Sequence, residues 1–136
     1  MTDEAKAIFK NNILGSLATV NKDGSPWSTP LHLITDGVYV YWFSDSRAQH
    51  SVNVETDQRV SVTLFSPDMS QGLEAVYVNG QAERVGDESI QAVRDLLAER
   101  VGSFPRHFES AAAYKLPVGE LDAEKTVGKC WYFYTR

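Results

Sequence analysis

The sequence predicts a mainly β fold with minor α: a small, mainly antiparallel barrel of six or seven strands, one amphipathic helix inserted late, and short flanking helices. Short apolar segments recur along the chain with polar or turn-forming residues between them. Gly follows Asp at Asp23-Gly24 and again at Asp36-Gly37, each pair lying between two such segments. Sustained helical periodicity is clearest in a single late segment, after residue 87.

Taken in order, Asp3-Glu4-Ala5-Lys6-Ala7-Ile8-Phe9 predicts a short opening helix, with Asp3 near its positive end. "ILGSLATV" and "SPWSTPLHLI" predict two antiparallel strands, because Asp23-Gly24 supplies the positive-φ residue that a tight hairpin needs. Thr35-Asp36-Gly37 leads into "VYVYWF", which is apolar on both alternating faces: Val38, Val40 and Trp42 on one, Tyr39, Tyr41 and Phe43 on the other. A strand of that kind suits a barrel wall that also packs against a partner. "RVSVTLF" alternates as a fourth strand and "SPDMSQGLE" is a loop. "AVYVNGQAERV" is a fifth strand, in which Gly80 marks a bulge or a close approach. Asp87 is placed to cap the main helix, whose apolar stripe is Ile90, Val93, Leu96, Leu97 and Val101 and whose stop is Gly102. Pro105 opens a second short helix with Phe104 and Phe108, and "AYKLPV" and "KCWYFYTR" supply the last strands.

One domain is expected from 136 residues, and a composition 43% hydrophobic and 23% charged argues against disorder. A net charge of −5 without any basic run argues against a nucleic-acid partner. Cys130 is the single cysteine, so an internal disulfide and a Cys-rich metal site are both excluded. His32, His50 and His107 have no metal-ligand spacing, and no metal is expected. The acidic start lacks the n- and h-regions of a signal peptide, and no apolar run has membrane-spanning length. The expectation is a cytoplasmic protein without a membrane partner.

The polar run Ser44-Asp45-Ser46-Arg47-Ala48-Gln49-His50-Ser51 admits two readings. One is an anion cradle: Asp45 or Ser46 caps a short helix, its free N–H groups face the ligand, Arg47 adds charge, and Ser44 and His50 lie beside it. The other is a plain polar connection, with Ser46 explained by capping alone.

Three pieces in order, "LATVNKDGSPWSTPL", "VYVYWFSDSRAQHSVNVETDQRVSV" and "VNGQAERV", resemble the pyridoxamine 5′-phosphate oxidase-like family, the FMN-binding split barrels. The resemblance covers Leu14 to about Val85 and implies a split β-barrel that holds FMN. By position it implies Thr29, Pro30 and Leu31 along the ring and ribityl chain. Phe43 and Ser44 fall beside the phosphate, Ser46 and Arg47 in the turn after them, and Gln49 and His50 at the phosphate-gripping positions. The oxidases proper carry Arg at Thr29 and an Arg-Lys pair at Gln49-His50, so Arg47 is the candidate substitute charge, and a phosphate dianion would favour protonated His50. The chain ends "WYFYTR", without the Arg-x-His pattern that grips the oxidase substrate, which disfavours pyridoxal phosphate synthesis. The resemblance further implies a homodimer with pockets at the interface, reached from the second subunit by Trp131 and by Glu74 or Ala75.

Elsewhere the bland readings prevail. His32 and His107 are surface groups, Trp27 and Trp42 wall aromatics, Cys130 a buried apolar group, Glu83-Arg84 a strand-end charge pair and Glu99-Arg100 a solvated helix face. No acid–base pair stands out, which flavin chemistry does not require. The expected function is a small flavin-dependent oxidoreductase of unknown substrate. Rivals are a deazaflavin-dependent reductase, a flavin-binding module for storage or sensing, and an interaction domain without cofactor.

Overall fold

The computed structural model describes residues 1–68, 70, 72–125 and 131–136. Helix α1 (Asp3–Asn11) starts where the Thr2 hydroxyl accepts from the Ala5 N–H at 3.2 Å. Asp3 and Glu4 stand in its first turn and Lys10 in its last, as the helix dipole favours. Strands β1 (Leu14–Val20) and β2 (Pro26–His32) form the expected hairpin, turned by Gly24 at φ 86°. After Leu33 the chain runs into β3 (Ile34–Thr35), turns at Gly37 (φ 89°), and returns as β4 (Tyr39–Ser44). Helix α2 (Gln49–Thr56), β5 (Arg59–Phe65), β6 (Ala75–Gln81) and β7 (Glu83–Arg84) follow. Next come α3 (Ile90–Val101), a 3-10 turn at Arg106–Phe108, β8 (Ala112–Pro117), β9 (Glu120–Leu121) and β10 (Trp131–Thr135).

The strands build two open sheets, ordered β2-β1-β5-β6-β10-β9 and β3-β4-β8-β7. The chain crosses between them at Leu33 and at Ala82, both fully buried. Beneath the first corner only glycine fits: a Cβ on Gly15 would lie 2.5 Å from Leu33 Cδ1 and 2.7 Å from the Thr63 carbonyl oxygen. Gly80 is likewise a close approach, since a Cβ there would lie 3.2 Å from Leu116 Cδ1, within an unbroken register that has no bulge. The main core lies between the sheets. Leu17, Val62, Leu64, Val76 and Val78 meet Val40, Trp42, Tyr114 and Leu116, with Ile8 and Phe9 of α1 closing one side.

Several expectations are corrected. β10 pairs with β6 in parallel, Trp131 opposite Ala75, because the chain returns to the sheet after crossing rather than by a hairpin. "AVYVNGQAERV" divides between the two sheets at Ala82. The second apolar face of β4 is covered by the chain itself: Tyr41 and Phe43 pack on Val93 and Leu97 of α3, and Phe43 meets Phe104 edge-on at 5.3 Å and stacks on Phe108 at 5.8 Å. Val38 and Val101 stay exposed, outside those clusters. Ser89, not Asp87, precedes α3, and no side chain caps it; Gly102 ends the helix at φ 93°. Arg100 is no solvated residue, since its Nη2 donates to the Lys10 carbonyl at 2.7 Å. Glu83 pairs with Lys115 at 3.1 Å rather than with Arg84. Lys129 and Cys130 lie outside the described residues. Among the described residues no helix is long and apolar enough to cross a membrane, and no cluster of three metal-ligating side chains occurs.

Candidate functional site: the split between the sheets

Among the described residues β2 is an edge strand, paired only with β1. Short β3 pairs only with Val40 and Tyr41, so Trp42, Phe43 and Ser44 have strand partners on the β8 side alone. The free edges of β2 and of the second half of β4 therefore come together without pairing among the described residues. α2 packs across the β1 and β2 side of this opening.

The turn into α2 differs from the expected cap. Neither Asp45 nor Ser46 caps the helix: it starts after Ala48, and no side chain satisfies its first turn. The N–H groups of Gln49, His50 and Ser51 have no hydrogen-bond partner among the described residues. Asp45 instead holds Arg47. Its Oδ1 accepts from the Arg47 N–H at 2.9 Å and from Nε at 3.0 Å, and its Oδ2 accepts from Nη2 at 2.7 Å. These bonds push the Asp45 carboxyl down to about 2. Both side chains are exposed, so Arg47 reaches solvent as half of a neutral pair.

Ser44 and His50 are buried and share a hydrogen bond, Oγ to Nε2, at 2.6 Å. Burial pushes the His50 imidazole below its ordinary value, which leaves the ring neutral at pH 7. Gln49 donates through Nε2 to Asn53 Oδ1 at 2.8 Å. Asn53 in turn donates to Thr19 Oγ1 at 2.9 Å and to Asn21 Oδ1 at 2.8 Å, tying α2 to the first hairpin. Sequence reasoning missed Asn53 and Ser51. Both are buried, and the Ser51 hydroxyl has no partner. The sequence carries no signal for them, because α2 inverts the usual pattern: Val52 is 46% exposed while Ser51 and Asn53 are buried beside Val54.

On β2, register places Thr29 opposite Leu17 and Leu31 opposite Gly15, on the core side, whereas Pro30 faces outward with Ser16. Thr29 and Pro30 also border a groove of about 410 Å³, with Leu14, Ser16, Ser28 and Phe65. The structure thus places Thr29 and Leu31 on the core side of β2 and Ser44, Gln49 and His50 where β4 runs into α2, while Pro30 faces outward and Ser46 and Arg47 border a separate cavity with His107 and Phe108. It does not bring Phe43 or Trp131 to the split. The Phe43 ring turns into the α3 cluster. Trp131 stacks on Tyr77 at 5.7 Å, four strands from β2, roughly 19 Å at ordinary strand spacing. Trp42 is a buried wall aromatic stacked on Tyr114 at 5.9 Å; Trp27, His32 and His107 are exposed. Ala75 is buried and Glu74 half-buried, its carbonyl taken by the Ser66 N–H.

These residues fit a phosphate-tailed flat cofactor. Three free amides at a helix start suit an anion, and two open strand edges suit the polar rim of a ring. The one departure is the shortage of uncommitted cations.

Two unclosed sheets around one core, parted along β2 and β4, define a split β-barrel. The family model for pyridoxamine 5′-phosphate oxidase matches residues 1–128, and the chain belongs to that family. Solved structures agree on the fold. An Agrobacterium tumefaciens protein of unknown function matches with TM-score 0.70 and 22% identity over 85% of this chain, which spans only 55% of that protein. An FAD- and heme-binding protein of Mycobacterium smegmatis matches with TM-score 0.72 and 15% identity, covering 88% of this chain and 67% of that one. An F420 reductase matches with TM-score 0.68 and 19% identity, covering 86% and 94%. No curated protein sequence matches the chain.

Proposed function

We propose that the chain binds FMN in the split and works as a small flavin-dependent oxidoreductase, as a homodimer whose pockets lie between two copies. The observation that carries this is the uncapped start of α2. A helix start left without a side-chain cap, beside a buried Ser44–His50 pair and two free strand edges, keeps its amides for an anion. When bound, the flavin supplies the redox chemistry. The amides of Gln49, His50 and Ser51 hold the phosphate, and Ser44 donates from the strand end. The free edge of β2 orients the ring, with Thr29, Pro30 and Leu31 along it. Nothing in the split matches a substrate-gripping Arg-x-His pattern, so the substrate is not assigned to the oxidase's own.

A second reading is a deazaflavin-dependent reductase, supported by the likeness to the F420 reductase across most of both chains. Both readings use the same split. The visible spectrum of the purified protein, followed by fluorescence titration with FMN and with the deazaflavin, separates them. Saturable quenching of FMN, and reduction of the bound flavin by a nicotinamide donor, are the results expected. Binding of the deazaflavin alone would transfer the site to the second reading. Flavin binding without reduction by any donor would leave a storage or sensing module.

A further inference from the structure

A second ligand site lies away from the split, where α1, the β3–β4 turn and α3 meet. A cavity of about 350 Å³ there has Phe9, Ile34 and Leu96 as its apolar walls and Lys6, Lys10 and Arg100 as its cations. A neighbouring cavity of about 460 Å³ shares Asp36 and Leu96 with it and continues along α3 over Val85, Ala92 and Val93 to Ser89. The two form one trench on one face of α3. From Ser89 to Arg100 it runs about 16 Å at the helical rise.

Its charge is lopsided. Among the described ion pairs Lys10 and Arg100 have no carboxylate partner, and Lys6 has only Asp3, 3.9 Å away with a fully exposed side chain. Asp36, the acid in the wall, keeps its charge, but its oxygens are engaged: Oδ1 accepts from the Val38 and Tyr39 N–H groups and Oδ2 from the Tyr41 hydroxyl, each at 2.8 Å. Arg100 is fixed in place by its Nη2 bonds to the carbonyls of Lys10 at 2.7 Å and Phe9 at 3.4 Å, and no other atom of its guanidinium is engaged among the described hydrogen bonds. At the other end the only cation, Lys115, is paired with Glu83 and lies over the Tyr39 ring. Set against Asp36 and the exposed Asp3, the three cations still leave this end of the trench net positive in a chain of net charge −5.

We infer that this trench binds an elongated organic monoanion, an aliphatic or aromatic carboxylate, with its head at Lys6, Lys10 and Arg100 and its body along Leu96 and Val93. The apolar walls supply affinity and the cations supply orientation, the usual division of labour in a small-molecule site. The site is independent of the flavin reading, since it shares no residue with the split.

Titration of the full chain with decanoate, followed by amide chemical shifts, tests it. Saturable shifts centred on Ile34, Gly37 and Leu96 are expected. Decanol and butyrate, which lack the head and the body respectively, should each bind at least about tenfold more weakly. Lys10→Glu, a change at an exposed position, should weaken decanoate by roughly the same factor while the spectrum stays that of a folded protein. Equal binding of decanol, or unchanged affinity in Lys10→Glu, would overturn the assignment. So would a trench that takes an acidic peptide and ignores decanoate, which would make it a protein-docking groove.

Discussion

The residue that most alters the reading of the site is Asp45. Arg47 was the expected replacement for the cations missing at Thr29, Gln49 and His50, yet its guanidinium forks onto Asp45. Removing that competitor should release the charge to the phosphate. Asp45→Asn is expected to tighten FMN by about tenfold, and Arg47→Ala to weaken it, in fluorescence titrations. If neither variant changes the affinity, the guanidinium stays in solvent when the ligand binds. His50 makes a second residue-scale prediction. Its folded pKa lies below the ordinary 6.5, so as pH falls the unfolded chain takes up the proton first. The contribution is intact above about pH 6.5 and is lost as pH falls from there through the lowered value. Melting curves should show that loss, and His50→Gln, which keeps a partner for Ser44 without a titrating ring, should flatten it. An unaltered acid limb in that variant would assign the loss to other groups.

Among the elements, α2 combines low intrinsic stability with function. It has eight residues, no capping side chain, and an inward face on which His50, Ser51 and Asn53 accompany a single aliphatic, Val54. Its hold on the barrel comes from Val54, which packs into the main core, and from Asn53, which bridges to Thr19 and Asn21. A helix placed only for stability would carry Ser, Thr, Asp or Asn at Ala48. Ala48→Asp should therefore stabilise the fold by about 0.5–2 kcal/mol in denaturant titration, the worth of a good cap. The same carboxylate would occupy the amides and repel the phosphate, so FMN binding should be lost. A stabilised variant that binds FMN as well as the native chain would show that the phosphate lies elsewhere. β4 teaches a related lesson. Its two apolar faces did mark a strand buried on both sides, but α3 and the Phe104–Phe108 segment supply the second layer from the same chain. Periodicity reports that a face is covered and is silent on what covers it.

For the whole molecule, the proposed dimer needs an apolar surface, and the outer face of the larger sheet offers one. Phe65 and Leu14 are about half exposed there, and Tyr77 stacks between Trp131 and Phe133. Apolar residues in such a row are what a second copy would cover. Sedimentation should find a dimer, and Tyr77→Glu should shift it to monomer and weaken FMN in parallel; a native monomer that binds FMN fully would confine the pocket to one chain. Much of this architecture was legible in the residues. The hairpins announced themselves through Gly24 and Gly37, the end of α3 through Gly102, and the strands through alternation, because these are local requirements of the backbone. The parallel return of β10 and the corners at Leu33 and Ala82 were not legible, since they depend on which distant strand offers a free edge. At the candidate site, the order of flanking motifs singles out Ser44 and His50, which the structure joins by a hydrogen bond, whereas the Asp45–Arg47 fork and the buried Asn53 depend on side-chain directions that spacing does not fix. The claim beneath all of this is that the bare amides at the start of α2 grip a phosphate. Comparing FMN with riboflavin, which lacks only that phosphate, measures it directly. FMN should bind tighter by about a hundredfold, the scale of two charge-assisted hydrogen bonds, and equal affinities for the two flavins would contradict the account.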